Sequence, residues 1–247
     1  MISLKKRAMK ALAAAALMVL AAGCDKKLED DKPDFSSNLI HYFPFSGNGV
    51  DDVSGQEFDM HGITYLSDRK GTENSSAFFN GFSGWMDISV GLKEKAGTLS
   101  FWIYPCLCKE NNPLFVKKSV ESDPYFGKYY VGYSEEGRIE AMCNGKWNVE
   151  TDIVIQANQW YNVVLRWDDA SGIVDIFVNG KKKLSKEYTV DASALPDDAT
   201  PAYLGKILHK PEEGGAVETV YYKGKLDDVR LYNIWLPYEE IEALYTE

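Results

Sequence analysis

Short apolar runs separated by turn signals recur along most of this 247-residue chain, and no other feature restricts its fold as strongly. In residues 160–167 apolar side chains occupy every second position, and Asn179-Gly180 is the strongest hairpin signal. The runs predict strands at 39–45, 59–67, 75–80, 85–89, 97–105, 113–118, 129–134, 138–143, 149–155, 160–167, 172–178, 201–207 and 219–232. Many short strands joined by regular turns indicate an all-β, two-sheet antiparallel sandwich.

The end of the chain predicts a long strand followed by a short C-terminal helix. In residues 224–232, alternation places Asp227 on the same side as Val229 and Leu231, so a carboxylate is expected to face the apolar interior. Burying a carboxylate is costly unless a cation or several donors meet it. After the strand, Pro237 and the acidic pair that follows it suit the first turn of a helix.

The amino terminus has the composition of an export signal over residues 1–23. Basic residues up to Lys10 precede an apolar stretch, 11–22, that is short for a membrane span. The stretch ends in Leu20-Ala-Ala-Gly-Cys24, which resembles the lipobox of bacterial lipoproteins. The resemblance implies cleavage before Cys24 and attachment of lipid to that residue. The alternative is an ordinary secretory signal followed by a chance cysteine.

A lipid on Cys24 would anchor the protein to a membrane of the bacterial cell envelope. Residues 24–37 are charged and unpatterned, which predicts a flexible tether, and residues 38–247 are predicted to form the folded domain. The acidic tether resembles the surface-export signals of some Gram-negative lipoproteins. We therefore expect the outer membrane, with surface display favoured over inner-membrane retention.

The negative charge of the chain disfavours polyanionic partners. The whole sequence has a formal net charge of −10, and the export signal holds four basic and no acidic residues, so the mature chain carries −14. A surplus of this sign argues against nucleic acid and anionic lipid head groups as ligands.

Three cysteines remain once Cys24 is assigned to lipid: Cys106, Cys108 and Cys143. In an oxidising compartment an odd number allows one disulfide and one spare thiol, and a Cys108–Cys143 pair is one possibility. Buried free thiols are the alternative. A zinc site is less favoured because the spacing is poor and no fourth ligand is evident.

Several segments, taken in order, resemble LamG-like jelly-roll domains of the concanavalin A-like lectin/glucanase superfamily. The likeness runs from residue 39 to residue 245 and rests on Leu39–Gly55, Ala77–Gly81, Leu99–Pro105, Gln159–Leu165, Asp175–Lys181 and Gly224–Tyr245. The resemblance implies a jelly-roll sandwich of the concanavalin A-like kind with a short C-terminal helix.

The same resemblance implies a structural calcium ion between the first loop and the last strand. It places the metal ligands at Asp52 and Asp227, with Asp51 and Asp228 as secondary choices. Carboxylates and the carbonyls of a glycine-rich loop are the oxygen ligands that calcium prefers. The alternative is that Asp51 and Asp52 cap turns, while Asp227 pairs with a basic group or buried donors.

Retaining glucanases of this superfamily carry their catalytic carboxylates in a Glu-x-Asp-x-x-Glu motif on one strand. Glu57-Phe-Asp59, Glu121-Ser-Asp123 and Glu150-Thr-Asp152 each lack the second glutamate. No histidine lies in a recognisable nucleophile context. The sequence therefore predicts no catalytic residues, although a carboxylate pair assembled from distant strands remains open.

Aromatic residues are frequent and suggest a carbohydrate ligand, because sugar rings stack on aromatic faces. Tyr129 and Tyr133 share one face of a predicted strand, Trp147 follows a turn, and Arg138 could donate hydrogen bonds. The alternative is that the aromatic residues fill the core and its edges, as expected for Trp102, Trp160 and Trp167.

These features favour a non-catalytic, envelope-anchored module that binds a carbohydrate. An adhesion or structural subunit with a protein partner is the first alternative. A less favoured alternative is an atypical enzyme acting on glycans.

Overall fold

Two antiparallel sheets face each other across an apolar core in the computed structural model, which describes residues 36–88, 94–108, 111–117, 129–143, 146–190, 201–209 and 216–247. The strands are, in chain order, β1 (Leu39–Phe43), β2 (Met60–His61), β3 (Ile63–Leu66), β4 (Ser76–Asn80), β5 (Trp85–Asp87), β6 (Ala96–Pro105), β7 (Asn112–Lys117), β8 (Tyr129–Tyr133), β9 (Arg138–Cys143), β10 (Trp147–Val154), β11 (Tyr161–Asp168), β12 (Ile173–Val178), β13 (Lys181–Glu187), β14 (Ala202–Leu204), β15 (Lys206–His209), β16 (Glu218–Tyr221) and β17 (Lys223–Tyr232). The predicted all-β sandwich is confirmed.

The first sheet has eight strands in the order β13-β12-β11-β6-β17-β4-β3, with β1 also paired to β17. The second has seven strands in the order β10-β9-β8-β7-β14-β5-β2, and β15 and β16 form a separate hairpin. Neighbouring strands are antiparallel throughout the recorded pairs, and several neighbours are distant in sequence, such as β6 with β17. This is the topology expected of a jelly roll, in which the chain crosses repeatedly between two sheets.

The core lies between the sheets and is formed by every second residue of most strands. From the first sheet it takes, for example, Leu99, Phe101 and Ile103 of β6, and from the second it takes Val131 of β8 and Ala141 of β9. All five are buried. The intervening residues of the same strands therefore point to the outer faces, where ligand contacts can be built.

A β-bulge in β17 changes the orientation predicted for Asp227. Leu226 and Val229 both belong to the core between the sheets, although three positions separate them. The register with β6 shifts by one residue between Asp227 and Arg230, and Asp228 has a positive φ of 47°. The extra residue interrupts the alternation, so Asp227 lies on the outer side of the sheet. The prediction that it faces the interior alongside Val229 was wrong.

The predicted C-terminal helix is present as α1 (Tyr238–Thr246), and Pro237 precedes it. Its buried residues Ile241 and Leu244 pack on the outer face of the eight-stranded sheet, against Val164 and Phe177 among others. The helix therefore covers one end of that face. Among the described residues no helix is long and apolar enough to cross a membrane.

The β15–β16 hairpin covers the middle of the other outer face. Ile207 and Val220 of the hairpin form a small apolar cluster with Val116, Tyr130 and Met142 of the seven-stranded sheet. Because the hairpin is narrower than the sheet, strands β9 and β10 extend beyond it. The uncovered part of this face holds the groove described next.

Candidate functional site

A groove of about 210 Å³ lies on the outer face of the seven-stranded sheet, where β8, β9 and β10 are neighbours. Its lining residues come from these three strands and are Tyr130, Glu140, Ala141, Met142, Asn148 and Glu150. Alternation explains the set except for Ala141, which is a core residue, because the residues between the others, such as Val131 and Val149, turn into the core. Met142 supplies apolar surface, since Tyr130 lines the groove but is only 2% exposed beside the β15–β16 hairpin, and the two carboxylates and the amide supply polar contacts.

The two carboxylates of the groove lie directly opposite each other. Glu140 of β9 and Glu150 of β10 are register partners, and Met142 and Asn148 are the next outward-facing pair along the same two strands. Directly opposed residues on antiparallel strands have Cβ atoms only about 5 Å apart. A single small polar ligand can therefore contact both carboxylates and the Asn148 amide at once.

Burial, followed by the negative charge of Glu150, raises the pKa of the Glu140 carboxyl above its usual range. Glu150 is more exposed, and its Oε1 lies 3.5 Å from Nε of Arg138. Arg138 also donates a hydrogen bond through Nη1 to the Thr151 carbonyl oxygen. Of the predicted ligand-binding residues, Arg138 is thus placed beside the groove, where it orients Glu150.

The other predicted ligand-binding residues lie elsewhere. Tyr129 and Tyr133 do share one face of β8, but that face is the core, and they are 2% and 0% exposed. Trp147 is 4% exposed and packs against Tyr129 between the sheets. The assignment of these three aromatic side chains to a ligand site was wrong, and they are core residues. Tyr130, one position along, is the one that faces the groove.

A cation–π contact fixes the start of the β15–β16 hairpin next to the sheet. The Lys206 ammonium lies 3.1 Å from the centroid of the Trp85 ring and 3.9 Å from that of Tyr203. His61 is the register partner of Trp85 on the neighbouring strand β2, and its ring stacks on the Trp85 ring at a centroid distance of 3.9 Å. This stack holds the hairpin, and with it the apolar cluster around Tyr130, in place.

Asp51 is fully used as a turn-capping residue. Its carboxylate accepts hydrogen bonds from the Tyr42 and Val53 backbone amides and from the Ser54 hydroxyl, and it contacts His41 Nδ1 at 2.9 Å. Burial opposes ionisation, but the hydrogen bonds from Tyr42, Ser54 and His41 hold the pKa of Asp51 below its usual range. Its neighbour in sequence, Asp52, is exposed.

Asp227 and Asp228 are paired with a guanidinium. Nη1 of Arg69 lies 3.0 Å from Asp227 Oδ2 and 2.6 Å from Asp228 Oδ2, and the guanidinium also stacks over the Trp102 ring at 4.5 Å. Tyr42 donates its hydroxyl hydrogen to the other oxygen of Asp228. Trp102 itself lies on the outer face of β6, where it is buried as expected although it lies outside the cluster between the sheets.

These contacts bear on the predicted calcium ion. Arg69 contacts both Asp227 and Asp228, Arg230 lies 3.6 Å from Asp228, and Asp51 already accepts several hydrogen bonds. In the described part of the chain, no group of three or more His, Cys, Asp or Glu side chains is arranged to hold a metal ion. The arrangement fits the ion-pair alternative better than a calcium cage.

Removing calcium with a chelator tests whether an ion is bound at these aspartates. Because Arg69 and Arg230 already supply two positive charges to the pair, we expect EDTA to leave the thermal unfolding midpoint of the protein unchanged relative to a sample in calcium. The measurement is differential scanning fluorimetry in the two buffers. A clear fall of the midpoint on chelation would instead demonstrate a bound ion at these aspartates.

The three described cysteines are free thiols, so the predicted Cys108–Cys143 disulfide is not formed. Cys143 is the register partner of Tyr129, at one end of β8. Cys108 follows Leu107, whose carbonyl oxygen accepts a hydrogen bond from Tyr133, at the other end of the same strand. The two thiols are therefore separated by the length of β8. Cys24 lies outside the described residues.

Three solved structures have a similar fold at low sequence identity. Domain 4 of AbnA, an extracellular arabinanase from Geobacillus stearothermophilus solved with arabinotriose, has a TM-score of 0.62 at 16% identity, with 84% of this chain and 98% of that chain covered. A structure of botulinum neurotoxin type C, a toxin whose cell entry depends on two ganglioside molecules, has a TM-score of 0.60 at 12% identity. The match covers 85% of this chain and 51% of the neurotoxin chain. A Trypanosoma rangeli sialidase has a TM-score of 0.58 at 20% identity, and the match covers 85% of this chain and 32% of the sialidase chain.

At these identities the likeness concerns the fold, and the chain spans only part of the sialidase and neurotoxin chains. No curated protein sequence matches the chain. A family model for laminin G-like domains, described as the concanavalin A-like lectin/glucanases superfamily, matches residues 80–242, which is well over half of the sequence. The chain belongs to this laminin G-like family of the concanavalin A-like lectin/glucanases superfamily.

Proposed function

We propose that this protein is a non-catalytic carbohydrate-binding module, held at the bacterial cell envelope by a lipid on Cys24, and that the groove on its seven-stranded sheet is the saccharide site. The observation that carries the proposal is the composition of the groove. Two opposed carboxylates and an amide lie around apolar surface from Met142 in a space of about 210 Å³.

This composition suits a sugar. Carboxylate and amide oxygens accept hydrogen bonds from hydroxyl groups, and hydrogen bonds to a charged acceptor are stronger than neutral ones. Apolar side chains receive the C–H face of the ring. The negative charge of Glu140 and Glu150 favours a neutral or amine-bearing saccharide. The structural neighbour solved with arabinotriose supports arabino-oligosaccharides as the first probes.

Truncation of Glu150 tests the site. Its side chain is exposed, so replacing it with alanine costs little folding energy but removes a charged hydrogen-bond acceptor from the groove. We expect Glu150→Ala to weaken binding by roughly tenfold or more, since a hydrogen bond to a charged group contributes about 1.5 to 3 kcal/mol. Isothermal titration of the full-length protein with neutral arabino-, xylo- and cello-oligosaccharides measures the change.

The matched control is Asp152→Asn, which removes one negative charge from the same strand outside the groove lining. It should bind like the parent protein. If no saccharide binds the folded parent, the proposal fails and a protein partner becomes the better candidate. If Glu150→Ala binds as tightly as Asp152→Asn, the groove is not the site.

The Glu140–Glu150 pair also favours a second candidate function, glycoside hydrolysis. Two opposed carboxyl groups, one of which is partly buried with its pKa raised, resemble the pair that a general acid and a nucleophile require. The same titrated mixtures, followed for hours by chromatography, decide between the two functions. Release of shorter oligosaccharides by the parent, but not by Glu140→Gln, would identify an enzyme.

A further inference from the structure

The outer face of the eight-stranded sheet carries a second cluster of ligand-competent residues, at the end that α1 leaves uncovered. The helix packs near Tyr232, at the last residue of β17, whereas the cluster lies around the first residues of that strand. Its members are Phe78 of β4, Tyr104 of β6, Trp160 before β11, and Lys223 and Lys225 of β17, and we call this set the lysine–aromatic patch.

Trp160 was expected in the core or at its edges, and it is half-buried beside Tyr104 on this outer face. The two ring centroids are 5.4 Å apart with an interplanar angle of 58°. The ammonium of Lys225 lies 5.0 Å from the Tyr104 centroid and 5.6 Å from that of Trp160. The aromatic rings and the lysine thus form one continuous surface.

The two lysines are half-buried, and neither forms an ion pair with a carboxylate of the described residues. Lys225 donates one hydrogen bond, of 2.9 Å, to the Ser67 carbonyl oxygen, which leaves further N–H groups available. The stem of Lys223 passes so close to Gly81 that a Cβ at that glycine would lie 2.9 Å from it. Both side chains are therefore positioned by their surroundings.

Two acidic residues close in sequence to the patch or to its hydrogen-bond partner have other partners. Asp227, two residues beyond Lys225, is paired with Arg69. Asp68, next to Ser67, accepts hydrogen bonds from the backbone amides of Lys70 and Thr72. The patch is consequently a local concentration of positive charge on a chain whose formal net charge is −10.

Two like charges on one side of a strand, two residues apart and partly removed from water, repel each other and lose hydration. An anion held between them would offset both costs, and a ring carrying that anion could lie on Trp160 and Tyr104. We propose that the lysine–aromatic patch is a second binding site, specific for an anionic saccharide whose carboxylate or sulfate is bound by Lys223 and Lys225.

This site is independent of the groove. The groove is lined by Glu140 and Glu150 and therefore repels the anion that the patch attracts. The two sites also lie on opposite sheets of the sandwich, so one domain can engage a neutral and an anionic glycan at the same time. That arrangement goes beyond the proposed function, which requires only the groove.

The test compares ligands that differ only in charge. Full-length protein is titrated with oligogalacturonides, with the same oligomers methyl-esterified to remove their charge, and with a sulfated oligosaccharide. We expect the charged oligomers to bind roughly tenfold or more tightly than the neutral ones at low salt, and rising salt to weaken binding. Carboxylated and sulfated ligands show which anion the lysines prefer.

Two double variants locate the binding. Lys223→Met/Lys225→Met is expected to lose the charged ligand by roughly tenfold or more, because both donors are removed. Lys181→Met/Lys183→Met makes the same charge change at exposed positions of β13 and is expected to shift affinity by less than about twofold. Glu150→Ala should leave this binding intact, which separates the patch from the groove.

The proposal is overturned if neither anionic oligosaccharide binds, or if the methyl-esterified oligomer binds as tightly as the charged one. It is also overturned if the β13 variant loses as much affinity as the patch variant, since binding would then follow total charge. The unfolding midpoint of each variant is measured in parallel. If the patch variant proves unfolded, Lys225→Gln alone replaces it, with the same expected direction.

Discussion

Replacement of Arg69 by methionine is expected to lower the free energy of unfolding by about 3 to 5 kcal/mol at pH 8. The guanidinium lies within ion-pair distance of the buried Asp227 carboxylate and of the partly buried Asp228 carboxylate, and it stacks on Trp102. Arg230 lies 3.6 Å from Asp228, so Asp227 is the carboxylate that loses its partner when Arg69 is replaced. Removing one partner of a buried charged group leaves the other charges uncompensated in a medium that solvates them poorly. Methionine preserves much of the apolar contact with the ring, so the loss reports chiefly on charge.

The loss is expected to be smaller at pH 5. Burial and the adjacent Asp228 charge raise the pKa of Asp227 from 3.8 to about 7, so in the folded protein this group holds its proton at pH 5. Fewer unpaired charges then remain when Arg69 is removed. The same pKa shift determines how Asp227 affects the stability of the parent protein. Between about pH 4 and 7 the folded state binds more protons than the unfolded state, so Asp227 makes the free energy of unfolding fall as pH rises.

Urea denaturation at the two pH values measures both effects. Asp227→Asn is the diagnostic control, because it removes the titrating group and should abolish this fall of stability between about pH 4 and 7. Lys70→Met removes an exposed charge from the neighbouring position and should change stability by less than about 0.5 kcal/mol. An equal loss for Arg69→Met at pH 5 and pH 8 would show that Asp227 does not hold the proton.

Arg69 also shows where sequence reasoning reached its limit. The alternation around Asp227 correctly drew attention to a buried carboxylate in need of a cation. It did not reveal that a bulge at Asp228 turns that carboxylate to the outer face. The only trace is that Leu226 is out of phase with Val229 and Leu231, and alternation alone cannot distinguish this from one outward-facing leucine. The cation comes from the loop between β3 and β4, which is distant in sequence.

Strands were predictable where turn residues punctuate the pattern. Asn179 and Gly180 both have positive φ and join β12 to β13, as an Asn-Gly hairpin requires. The strand that follows, Lys181–Glu187, was missed because its side chains are mostly charged and it lies at a sheet edge. The predicted run 59–67 is divided at Gly62 into β2 and β3, which belong to different sheets.

The candidate groove could not be predicted because it depends on register and on sheet side. Glu140 and Glu150 are ordinary polar residues of two strands until the pairing of β9 with β10 places them opposite each other. Alternation alone showed that Tyr129 and Tyr133 share a face, but it did not say which face is the core. Burial of both faces of β8, one by the opposite sheet and one by the hairpin at Tyr130, removes the polar residues that would have distinguished them.

The export signal and Cys24 lie outside the described residues, and attachment of lipid to Cys24 can be tested directly. Cells expressing the parent chain are expected to incorporate labelled palmitate into the protein, and Cys24→Ser is expected to lose the label completely. Cys106→Ser, which alters a described free thiol, should be labelled like the parent. Mass spectrometry of the mature amino terminus should show cleavage before Cys24, whereas cleavage elsewhere without lipid would identify an ordinary secretory signal.

The physical consequence of that lipid is retention at a membrane. One acyl chain gives only marginal binding, because each buried methylene contributes about 0.8 kcal/mol, and stable anchoring takes at least two such signals. A chain whose residues 1–24 are replaced by an ordinary secretory signal is therefore expected to move from the membrane fraction to the soluble fraction, with its saccharide binding unchanged. If that chain stays with the membrane, the domain itself makes the membrane contact, and the lysine–aromatic patch is the first surface to test.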